Sequence, residues 1–140
     1  MVDKKDVTLM HVNEVMSTIL VTASEKASIL DIYNLITNSN VGSIVIVGDE
    51  GKPIGIVTKR DIVKFIASKP SSLEISVGDI MTTPVIAIGP SELLTTAIMR
   101  MYLKGVKKLV VLDDMENFIG IITQTDIIRD LKSDLFKPQF

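Results

Sequence analysis

A chain of 140 residues, 46% of them hydrophobic, can form one compact body or two small halves that share a core. Its formal net charge of -2 lacks the basic footprint of a nucleic-acid-binding protein, which makes a nucleic-acid partner unlikely. With no cysteine and one histidine, His11, disulfides, thiol chemistry and multi-histidine metal sites are excluded, and a cytoplasmic location is expected.

The opening residues, MVDKKDVTL, are charged and lack the apolar run of a signal peptide. No stretch approaches the roughly 20 apolar residues that cross a bilayer, so no membrane association is expected. Next, LMHVNEVM reads as a short helical turn ending at methionine, and ILVT as a short strand. In ASILDIYNLITNSN, Ile29, Ile32, Leu35 and Ile36 recur at helical spacing, with Ser28 or Ser24 as the cap. SIVIV is a buried strand, and GDEGK turns it back into PIGIV. TKRDIVKFIA closes the segment as a helix. SKPSSLEIS then interrupts both periodicities and reads as a linker.

The order then repeats. ISVGDIM, VIAI, SELLTTAIMRMYLKG, KLVVL, DDMEN, FIGII and TQTDIIRDLK take the same roles. In the second long helix, Ser91 is the expected N-cap, Leu94, Ile98 and Met101 share a face, and Gly105 is the stop. Residues 12–66 match 77–131 without a gap at 12 identical positions, all offset by 65. One offset over the whole length marks a duplication. The chain therefore divides into repeat 1 (9–67), a linker (68–76), repeat 2 (77–134) and a tail (135–140) that carries Phe136 and Phe140. Each repeat is an α/β unit, β-α-β-β-α behind a short leading helix. Three short strands and two helices cannot cover their own sheet well, so the copies should pack together, related by a pseudo-two-fold axis. Met10, Met16, Met81, Met99 and Met101 are expected to fill the core.

The repeated element with chemical potential is Thr58-x-x-Asp61 and Thr123-x-x-Asp126, each after a strand and opening a helix. One reading is a cap: the threonine accepts from the amide three residues on, and the aspartate meets the positive end of the helix dipole. The other is a nucleoside site. Free amides at a helix start can hold phosphate, and a carboxylate can accept both hydroxyls of a ribose. Gly55 and Gly120 fit a close backbone approach, or a small residue needed for packing.

The pattern M(S/T)T…V…VIV…D…IGI(V/I)T..DI, used twice, resembles the cystathionine β-synthase (CBS) domain, and the pair resembles a Bateman module over about residues 9–134. The resemblance implies an α/β disc that often dimerises. It implies binding of AMP, ADP, ATP or S-adenosylmethionine in clefts between the repeats, and regulation of an effector protein rather than catalysis. No catalytic cofactor is expected. By the same resemblance, Asp61 and Asp126 match ribose-binding aspartates, and Thr58 and Thr123 match hydroxyls near ribose and phosphate. Arg60, Lys107 and Lys108 match phosphate-contacting positions. Val41, Val106, Val21 and Ile86 match apolar positions beside the adenine, where ordinary core packing is the competing explanation. The copies differ between Thr and Asp, Lys59-Arg60 against Gln124-Thr125, so two non-equivalent sites are expected. A ligand-free dimerisation or protein-interaction module is the alternative function.

Overall fold

The structure, a computed structural model, describes residues 6–69, 71 and 75–135; Phe136, Phe140 and part of the linker lie outside the described residues. The elements run β1 (Thr22–Ser24), α1 (Ile29–Ser39), β2 (Ser43–Val47), β3 (Pro53–Thr58), α2 (Lys59–Ala67), β4 (Ala87–Ile88), α3 (Leu94–Lys104), β5 (Lys108–Leu112), β6 (Phe118–Thr123) and α4 (Gln124–Leu135). Short 3-10 turns at Val12–Glu14 and Val77–Asp79 lead into the two copies. The strands form two sheets, β1-β2-β3 and β4-β5-β6.

In each sheet the first pair is parallel and the second antiparallel. A parallel pair needs a crossover, which α1 and α3 supply; an antiparallel pair needs only a hairpin. The hairpin turns use positive φ at Gly51 (77°) and at Glu116 (63°), a conformation that glycine adopts freely and glutamate does not. Ser43 pairs with Thr58, and Lys108 with Thr123, so the registers are repeat-equivalent too.

Helix α1 follows its pattern. Ser28 is the cap, its oxygen accepting from the Asp31 amide at 3.1 Å, and Ile29, Ile32 and Ile36 are buried. Helix α3 differs. Ser91 is not its N-cap; Leu93 is, without a side-chain bond. The amide of Leu94 instead donates to the Met10 carbonyl at 2.8 Å, so backbone from the leading segment does the work of a cap. Ala97 takes the core position expected of Ile98, which is 40% exposed. Met10 and Met101 are buried, whereas Met99 lies mostly outside. The first strands are shorter and later than ILVT and VIAI. Val21 and Ile86 precede them, their carbonyls accepting from Val45 (3.2 Å) and Val110 (3.0 Å).

The chain forms two compact units, 20–85 and the combination of 1–19 with 86–140. These units are not the sequence repeats, because the leading segments are exchanged. Val12, from repeat 1, is fully buried among Leu94, Met101, Leu109 and Ile122 of repeat 2. Val77, from repeat 2, is fully buried among Ile32, Ile44, Ile46 and Val57 of repeat 1. Burying each valine stabilises its unit by about 1.5–3 kcal/mol relative to leaving it in water. Backbone bonds fix the exchange. Ser17 and Ile121 bond reciprocally at 2.8 and 3.0 Å, as do Thr82 and Ile56 at 2.9 and 3.1 Å.

Candidate functional site

The exchange explains the repeated glycines. A side chain at Gly55 would run into the thioether of Met81, and one at Gly120 would come within 2.6 Å of the Met16 sulfur. Real side-chain carbons do not approach that closely. Each glycine therefore lets the methionine of the other copy's leading segment lie flat on the last strand of the sheet. In this structure the close approach is made by a methionine.

The strand end beside each glycine places the Thr-x-x-Asp. Thr58 caps α2. Its oxygen accepts from the Asp61 amide at 3.2 Å, and Asp61 Oδ2 accepts from the Thr58 amide (2.9 Å) and hydroxyl (3.0 Å). The second copy keeps half of this arrangement. Thr123 Oγ1 accepts from the Asp126 amide at 3.0 Å, while Asp126 Oδ1 lies 3.8 Å from the Arg129 guanidinium. The cap reading of the sequence is thus realised in both copies. One Asp61 oxygen is occupied by the cap, and the Asp126 carboxylate is turned toward its own helix.

Each aspartate also lines a shallow, open cavity of about 260 Å³, below the roughly 300–1,000 Å³ usual for small-molecule sites. Glu14, Val15, Asp126, Arg129 and Asp130 line one; Asp61, Lys64, Phe65, Ser68 and Ile80 line the other. Four lining positions correspond at the repeat offset: Val15 with Ile80, Asp126 with Asp61, Arg129 with Lys64, and Asp130 with Phe65. Each cavity joins the leading turn of one repeat to the last helix of the other, so it is lined by both repeats while lying within one unit.

Of the other sequence candidates, Arg60 is exposed on the first turn of α2. Lys108 is half-buried opposite Thr123, and Lys107 is exposed, its carbonyl accepting from the Gln124 amide at 2.9 Å. Val21 and Val41 pack on the core of unit 20–85, and Ile86 and Val106 on the core of the other unit. None of these residues lines the two cavities. Sequence reasoning missed Glu14, Val15, Lys64, Phe65, Ser68, Ile80, Arg129 and Asp130. The i+3 and i+4 positions after each aspartate carry a helical-face signal that could have found four of them. The leading-turn residues give no such signal, because only the exchange brings them there.

The CBS domain profile matches residues 12–68 and again 77–133. The chain belongs to the CBS domain family, as a tandem pair. It is 34% identical over 119 residues to an uncharacterised protein of Methanopyrus kandleri, covering 84% of this chain and 61% of that one. It is 30% identical over 126 residues to L-aspartate semialdehyde sulfurtransferase of Methanocaldococcus jannaschii, covering 90% of this chain and 24% of the enzyme. The chain therefore spans less than two thirds of the length of these curated relatives. Among solved structures, it superposes with a TM-score of 0.78 and 27% identity on a CBS domain pair in complex with 5′-methylthioadenosine and S-adenosyl-L-methionine, covering 89% of this chain and 98% of that pair. Among the described residues, no helix is long and apolar enough to cross a membrane.

Proposed function

We propose that this chain is a regulatory module of the cytoplasm that binds adenosine compounds (AMP, ADP, ATP or S-adenosylmethionine) and passes their occupancy to a partner protein, without catalysing a reaction. The observation that carries this reading is the pair of repeat-equivalent cavities, each lined by the aspartate of a Thr-x-x-Asp. Asp61 and Asp126 accept the ribose hydroxyls, with Thr58 and Thr123 beside them. Arg60, Lys107 and Lys108 would neutralise phosphate, and Val21, Val41, Ile86 and Val106 would flank the base, all from positions beyond the lining of the two cavities. The solved pair with methylthioadenosine and S-adenosylmethionine supports the ligand class.

A thermal-shift panel of AMP, ADP, ATP, S-adenosylmethionine and 5′-methylthioadenosine tests it. At 100 times the dissociation constant a ligand adds about 2.7 kcal/mol. Asp61→Ala and Asp126→Ala together should abolish that gain. Residues acting only as caps would instead lose about 1 kcal/mol each, with or without ligand. A panel without any shift would overturn the reading.

A second reading, dimerisation through the helices, is favoured by exposed apolar helix residues on each of the two units. Tyr33, Val63, Ile66, Tyr102, Leu103 and Ile128 are between 48% and 80% exposed, and an apolar cavity of about 230 Å³ lies among Ile29, Leu30, Tyr33, Ile62 and Ile66. Burying such side chains against a second copy gives a homodimer. Light scattering of Tyr102→Lys and Val63→Lys variants, alone and combined, should then report monomers.

A further inference from the structure

The two methionines that lie on glycines differ from the other methionines among the described residues. Met10 and Met101 are buried in a core, and Met99 and Met115 are exposed. Met16 and Met81 are half-buried: each packs on a core and still meets solvent. Each also sits where a leading turn is tied to its sheet. The Met16 amide donates to the Val12 carbonyl at 2.9 Å, and the Met81 amide to the Val77 carbonyl at 3.0 Å. The residues that follow, Ser17 and Thr82, make the reciprocal backbone pairs with Ile121 and Ile56. We propose that Met16 and Met81 are paired oxidation sites, at which a peroxide converts the thioether to the sulfoxide and so releases the leading turn from its sheet.

Hydrogen peroxide alone balances the step. The sulfur attacks one peroxide oxygen, an S–O bond forms and the O–O bond breaks. Sulfur loses two electrons, the attacked oxygen passes its proton to the departing hydroxide, and water leaves. The consequence follows from the packing. A thioether is soft and nearly apolar, so it can lie against bare backbone. The sulfoxide adds a polar oxygen to a sulfur with no spare room on the glycine side, where even a single carbon would come within 2.6 Å. That oxygen needs a donor or water. The strand amides next to the glycines, those of Ile121 and Ile56, are already given to the Ser17 and Thr82 carbonyls. The oxygen therefore reaches water by lifting the turn. Lifting also draws Val15 and Ile80, the residues just before the methionines, out of the cavities they line. Oxidation of Met99 or Met115 has no such effect, because those side chains already stand in water.

Graded hydrogen peroxide on the full chain, read by peptide mass spectrometry, should oxidise Met99 and Met115 first, Met16 and Met81 next, and Met10 and Met101 last. In the oxidised chain the amides of Ser17, Ile121, Thr82 and Ile56 should exchange hydrogen faster by about tenfold or more, equivalent to about 1.4 kcal/mol and within the cost of overpacking. Met16→Leu keeps volume without a sulfur. Peroxide should then loosen only the Thr82–Ile56 pair, and with Met81→Leu only the Ser17–Ile121 pair. Methionine sulfoxide reductases should restore protection in the unsubstituted chain. Met16 and Met81 reacting only together with Met10 and Met101 would mean that unfolding alone exposes them, and overturns the inference. So does an oxidised chain whose four amides exchange as before, or loosening that persists in the Met16→Leu, Met81→Leu double variant. None of these outcomes bears on the adenosine reading, which needs no oxidation.

Discussion

The two units are built on the same plan and differ in how they are held. Both have a parallel-then-antiparallel sheet, a borrowed leading turn, and a methionine lying on a glycine. Unit 20–85 is locked by side-chain caps: Ser28 on α1 and the reciprocal Thr58–Asp61 pair on α2. The other unit lacks a side-chain cap on α3 and uses an ion pair. Glu92 accepts from the Gly89 amide at 2.6 Å and from Arg100 at 3.1 Å, and Arg100 in turn donates to the Ala87 carbonyl at 2.8 Å. At the matching positions repeat 1 has Ala27 and Leu35, which can form no such pair. Duplicated sequences can thus keep a backbone plan while changing the means of fixing it. In the Asp61 unit the cap consumes carboxylate capacity, and in the Asp126 unit it does not.

Placing a charge at the buried leading valines breaks the comparison hardest. Val12→Asp should destabilise the sheet β4-β5-β6 by more than about 3 kcal/mol, and Val77→Asp the sheet β1-β2-β3 by a similar amount. Residue-resolved hydrogen exchange reads which sheet opens. If Val12→Asp opened β1-β2-β3 instead, the exchange of leading segments would be wrong.

The glycines come next. Gly55→Ala and Gly120→Ala overpack the methionine contacts and should each cost about 1–3 kcal/mol. Denaturant melts of Gly55→Ala with Met81→Ala, and of Gly120→Ala with Met16→Ala, should show coupling: each pair should lose less than the sum of its single changes. Additive losses would mean that the glycine serves something other than that methionine.

The smallest effect is acid sensitivity. The hydrogen bond from the Gly89 amide holds the Glu92 carboxyl below its ordinary value; burial opposes it, and the Arg100 guanidinium adds a further lowering. A carboxylate depressed by folding contributes stability that is full above its unfolded value of about 4.3 and is lost as pH falls through the folded one. The unit containing Glu92 should therefore weaken on acidification below about pH 4.3. Glu92→Gln should flatten that limb and leave unit 20–85 unchanged, as followed by hydrogen exchange at several pH values.

The sequence by itself determined a good deal. The offset of 65, the aliphatic strands and the helical spacing of Ile29, Ile32 and Ile36 set two α/β repeats, because those patterns are local and periodic. Thr58, Asp61, Thr123 and Asp126 were legible as helix starts, because a cap is made by residues three apart. Other features were decided only by tertiary structure. Ser91 lost its role to the Met10 carbonyl, a partner more than 80 residues away that no local pattern announces. Which leading turn packs on which sheet depends on long-range burial, since Val12 and Val77 are the same residue in the same motif and either could fill either core. That choice also decided the cavities. Glu14 reaches Asp126, and Ile80 reaches Asp61, only because each repeat lends its first turn to the other.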